Sequence, residues 1–138
     1  MRRTIAGFVV ASTLLAGAAL STPARAVASA PDNAVARWNG IASDAILADT
    51  ATRSPSAAAL YVAIVQAAVY NATMAIEKTH TLYRSSLSAP SGASVDAAVA
   101  AAAYGVLARY FPAQQASLDA TYAAALAEIP EGEAKTQG

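Results

Sequence analysis

From Val35 onward, apolar positions recur at three- and four-residue steps. Val35, Trp38, Ile41, Ala42, Ala45 and Ala48 fall on one side of a helical wheel and Arg37 and Asp44 on the other, which is the pattern of an amphipathic helix. Asp32 or Asn33 supplies a capping oxygen, so a first helix is predicted over 33–49. Ser54-Pro55 then offers a cap followed by a residue whose φ is already helical, opening a second helix with Leu60, Tyr61, Ile64, Val65, Val69, Tyr70, Met74 and Ile76. No charge stands between Arg53 and Glu77, a run of a length that can cross a bilayer. Gln66, Asn71 and Thr73 interrupt it and flanking positive charge is thin, so the run predicts a central helix buried on most sides.

The stretch Ser85 to Ser94 (SSLSAPSGAS) is a loop by composition. Gly92 or Ser94 opens a third helix with a stripe of Val95, Val99, Ala102, Val106 and Tyr110, and the small residues from Ala97 to Ala103 allow a neighbour to approach closely. Pro112 is expected to start a fourth helix as Pro55 starts the second, with Leu118, Tyr122, Leu126 and Ile129 as the cleanest amphipathic stripe in the chain. Ile129-Pro130-Glu131-Gly132 breaks that stripe, and residues 133–138 read as the first turn of another helix. With no strand-period segment, the expected fold is all-α, an antiparallel bundle of about four helices forming part of a larger one.

Upstream of this pattern lies a different kind of segment. Arg2 and Arg3 precede an apolar stretch from Ile5 to Leu20, followed by small-residue sites at Ala24-Arg25-Ala26 and Ala28-Ser29-Ala30. This is the layout of a secretory signal peptide, with cleavage expected after Ala26 or Ala30 and the paired arginines admitting a twin-arginine route. The expected organisation is therefore a signal peptide over 1–30 and a helical domain over 31–138, in a secreted or periplasmic protein with no membrane span after cleavage. Formal charge over all 138 residues is zero, but residues 31–138 carry six cations and nine anions, a net −3. A chain without a Lys/Arg excess is a poor partner for nucleic acid.

Composition removes most chemistry. The absence of Cys excludes disulfides, zinc ribbons, iron–sulfur sites and thiol nucleophiles, and a single His cannot make a multi-histidine metal site. That residue, His80, sits in Glu77-Lys78-Thr79-His80-Thr81, where a solvent-facing or capping role outweighs general-base chemistry. No Gly-x-Ser-x-Gly turn anchors a triad. Glu131 and Glu133 flank Gly132 at a predicted turn, with Glu128 just before them, and read as a solvated linker. Asn71-Ala72-Thr73 matches the glycosylation acceptor pattern inside a predicted helix and is taken as coincidence. The six tyrosines are explained as packing residues with hydroxyls at the bundle edge, in preference to a groove lining.

Three passages carry a resemblance: Ala36-Arg37-Trp38-Asn39, Gln66-Ala67-Ala68-Val69-Tyr70-Asn71-Ala72, and Tyr110 to Asp119 (YFPAQQASLD). In this order, with the Ile129-Pro130-Glu131-Gly132 turn, they resemble the N-terminal helical region of secreted bacterial vanadium-dependent haloperoxidase-like proteins, of the superfamily that includes type 2 phosphatidic acid phosphatases. Members often have His and Asp where this chain has Gln66 and Asn71. The resemblance implies an oxyanion site for vanadate or phosphate, built from a Lys/Arg-Pro segment, a Pro-Ser-Gly-His segment and a later Arg…His segment, with cations and donors neutralising the anion. Here Ser85 follows Arg84 in place of proline, Ala93 follows Pro90-Ser91-Gly92 in place of histidine, and no His follows Arg109. No catalytic, cofactor-binding or metal-ligating residue is carried over.

The sequence thus predicts a scaffold portion of such a protein, without the anion site and inactive by itself. Vanadate or phosphate is implied only for a full-length relative. The apolar faces of helices two and three are expected to meet a missing C-terminal half or to self-associate. The alternative is a complete, non-enzymatic helical module that binds an apolar ligand or a protein partner, and a third possibility is a small phosphatase acting through Lys78, His80 and Arg84.

Overall fold

The computed structural model describes residues 33–49 and 54–138, and the expected signal peptide lies outside them. The polypeptide is all-α: α1 (Ala34–Ala48), α2 (Pro55–Glu77), α3 (Val95–Tyr110), α4 (Gln115–Ala127) and a short α5 (Glu133–Gln137). Three helix starts follow the predicted chemistry. The side chains of Asn33, Ser54 and Ser94 accept from the backbone N–H of Ala36, Ala57 and Ala97, at 2.8, 3.3 and 3.2 Å, satisfying donors that no helical carbonyl reaches. Asp96 in the first turn of α3 and Arg109 in its last turn complement the helix dipole.

Pro112 behaves differently from Pro55. Residues 112–114 form a 3₁₀ turn, closed by Gln114 N–H donating to the Phe111 carbonyl at 2.9 Å, and α4 begins only at Gln115. Phe111 has no side-chain oxygen to cap with, so the chain meets its unpaired donors by tightening the first turn. The turn at the far end of α4 is set by Gly132, whose φ of 151° suits glycine alone. From there α5 folds back onto the start of α3. Ser94 N–H donates to the Ala134 carbonyl at 2.8 Å, and a Cβ on Gly138 would stand 2.2 Å from the Ser94 carbonyl oxygen. Only a glycine closes that approach.

The central helix is α3, and the expectation that α2 fills this place is corrected. Ala97, Ala98, Val99, Ala100, Ala103 and Leu107 are all buried, and α3 packs against α1, α2 and α4. The run of small side chains from Ala97 to Ala103 lets three helices approach the axis of α3 closely. On α2 only Val65, Val69 and Ala75 are fully buried. It is long and apolar enough to cross a membrane, yet only 17% of its most apolar stretch is buried within the protein. Trp38, Val65, Val99, Leu107 and Phe111 are the largest fully buried side chains.

Candidate functional site

The residues with the best claim to chemistry are dispersed. Lys78 ends α2 in a left-handed conformation (φ 54°), Arg84 takes another (φ 48°), and Lys78, His80 and Arg84 are all exposed on the loop after α2. His80 Nδ1 stands 3.1 Å from Thr79 Oγ1, its neighbour in sequence. Pro90, Ser91 and Gly92 form an exposed turn, whereas Ala93 is buried. The carboxylates are occupied one by one: Glu128 pairs with Arg37, Glu131 with Lys135, and Glu133 accepts from Gln137 Nε2 at 2.6 Å.

These positions do not fit a vanadate or phosphate. Two cations on an open loop present no desolvated cradle, and the position at which the resembled motif has histidine holds a buried methyl group. Among the described residues no group of three or more His, Asp or Glu is arranged to hold a metal ion. A cavity of about 470 Å³ lies where the first turns of α1 and α3 meet the end of α4. It contains Arg37, but Asp96 and Glu128 line the same space, so its charge is no match for an anion.

The passages that carry the resemblance are instead bonded into the fold, the first directly to the second and the third to other residues. Gln66 Nε2 donates to Asn39 Oδ1 at 2.7 Å, joining the second passage to the first across α2 and α1. Asn71 clamps the following loop from both sides: its Oδ1 accepts from Tyr83 N–H at 2.7 Å and its Nδ2 donates to the Tyr83 carbonyl at 3.0 Å. The Tyr70 hydroxyl donates to the Thr81 carbonyl at 2.9 Å. With both amide atoms engaged, Asn71 is a positioning residue for the loop. In the third passage, Gln114 Nε2 reaches the Ala45 carbonyl at 2.7 Å, and Gln115 Nε2 donates to Tyr104 and Asp119. Tyr104 also donates to Asp119 at 2.7 Å, a bond that, with some burial, holds its hydroxyl above the ordinary tyrosine value of 10.0.

The tyrosines divide. Tyr104 stacks on Tyr122 at 4.4 Å between ring centroids, and Tyr61 meets Tyr110 and Phe111 edge to face, as the packing expectation holds. Tyr70 and Tyr83 instead line an open groove of about 590 Å³ beside α2, with Ala63, Gln66, Ala67 and Leu82, which corrects the preference against a groove lining. Gln66 also borders a second hollow with Val35 and Asn39 of α1. The two hollows share Gln66, and the first of them runs along the outside of α2. Sequence periodicity missed it because α2 is apolar nearly all round, so its inner and outer faces look alike. Comparison with protein-family models, curated proteins and solved structures finds no match for this chain.

Proposed function

We propose that this chain is an exported, non-catalytic helical scaffold of the kind found in the N-terminal region of haloperoxidase-like proteins, and that it works by presenting the outer face of α2 to another helical element. The observation that carries this is the open surface along α2: uncharged, floored by alanines, with Leu60 59% and Tyr70 39% exposed. An exposed apolar stripe on a helix otherwise packed into a core favours association. The scaffold role is supported by the bonds that the three passages supply between α1 and α2, between α2 and its loop, and between α3 and α4. These bonds tie together helices whose core gathers around α3.

The test is a calorimetric titration of the chain with orthovanadate and with inorganic phosphate, with a bromide and peroxide halogenation assay on the same sample. The expected result is no heat of binding and no turnover. Stoichiometric binding lost in His80→Ala would overturn the proposal, because it would require Lys78, His80 and Arg84 to converge on one anion.

A further inference from the structure

We infer that the element received by α2 is the α2 of a second copy of this chain, packed antiparallel in a symmetric dimer. This inference rests on the scaffold proposal above and names its partner. Along the outer face, Leu60, Ala63, Ala67 and Tyr70 are spaced by three, four and three residues, which places them on one stripe of the helix. The order large, small, small, large reads the same in either direction. An antiparallel copy therefore sets Leu60 of one chain against Tyr70 of the other and Ala63 against Ala67, so large side chains close the ends of an interface whose middle permits close backbone approach. A parallel copy would set Tyr70 on Tyr70 and align the two helix dipoles.

Charge and polar groups agree with the antiparallel arrangement. No charged residue lies on α2 before Glu77, so no ion is desolvated along the seam. Glu77, at the C-terminal end, comes beside the first turn of the other α2, the positive end of that helix's dipole. Two polar atoms bordering the seam have partners within the chain: the Gln66 amide nitrogen on Asn39 and the Tyr70 hydroxyl on Thr81. Burying them costs little as a result. The helix is about 34 Å long at 1.5 Å per residue. One helix pair buries less than the roughly 800 Å² per partner of a standard interface, so Val35, Leu82 and Tyr83 on the rims must contribute, and affinity in the micromolar range is expected.

The experiment is sedimentation equilibrium of the full chain from about 1 to 100 μM, the range that brackets a micromolar dimer, beside Ala63→Glu. Ala63 is exposed, so this variant folds whether or not the dimer exists, and far-UV circular dichroism checks that it does. Wild type should move from one chain mass to two, and Ala63→Glu should raise the dissociation constant about 100-fold by placing unpaired carboxylates in a dry seam. The chain has no cysteine, so register is read by mixing Ala63→Cys with Ala67→Cys: the mixed disulfide should exceed either self-disulfide. A wild type that stays monomeric, a dimer indifferent to Ala63→Glu, a preference for self-disulfides, or flotation with phosphatidylcholine vesicles in place of dimerisation would each overturn the inference. The scaffold proposal fails separately, on binding of orthovanadate or phosphate.

Discussion

At the scale of single residues, polar side chains do the positioning. Asn71 is the clearest case, since it bonds both the N–H and the carbonyl of Tyr83. Replacing it by Asp, the residue often found there in the resembled proteins, keeps the acceptor and turns the donor into an oxygen facing a carbonyl. Asn71→Asp is expected to lower stability by about 1–2 kcal/mol at neutral pH. Part of the loss should be regained below about pH 4, where a protonated acid can donate again; urea denaturation at the two pH values checks this. Tyr104 gives the opposite pH signature. Its folded value is raised by the bond to Asp119, so the stability it contributes is complete below the unfolded tyrosine value and is lost as pH rises through the folded one. Thermal melts should fall more steeply above pH 10 for wild type than for Tyr104→Phe.

At the scale of elements, the sequence was most legible where local chemistry decides the outcome. The capping oxygens at Asn33, Ser54 and Ser94 and the proline at 55 set helix starts that the structure keeps, because a cap acts on donors two or three residues away and needs no tertiary partner. Ser54→Ala should cost about 1 kcal/mol, seen as a shift in denaturation midpoint at unchanged slope. The stripe Leu118, Tyr122, Leu126 and Ile129 also faces inward, Leu118 fully and the others in part. Which helix is central was not legible. The uncharged run of α2 suggested the middle of the bundle, yet the middle belongs to the alanines of α3, because close packing is governed by side-chain volume and the hydropathy of a helix does not report it. Leu107, fully buried on α3, should accordingly cost about 2–5 kcal/mol on truncation to Ala, measured by the same denaturation.

At the scale of the whole molecule, the core and the association surface occupy different helices. The core gathers around α3 with Trp38, Val65 and Phe111, while the outer stripe of α2 faces out beside its pinned loop. Neither the pairing of α1 with α2 nor that of α2 with its loop was visible in the sequence, since Asn39 meets Gln66, and Asn71 meets Tyr83, only once the backbone has turned back on itself. The candidate chemistry of Lys78, His80 and Arg84 was legible as residue types but not as a site, and the fold leaves these side chains exposed along the loop. The central claim is that the outer face of α2 is left uncovered by the chain's own fold. The most direct test is urea denaturation of Ala63→Glu beside wild type at about 1 μM, at the bottom of the micromolar range in which association is expected. An uncovered face predicts midpoints that differ by no more than about 0.5 kcal/mol in stability, as for a surface substitution. A loss of about 3 kcal/mol or more would mean that a carboxylate there is buried within the chain, and would contradict the account.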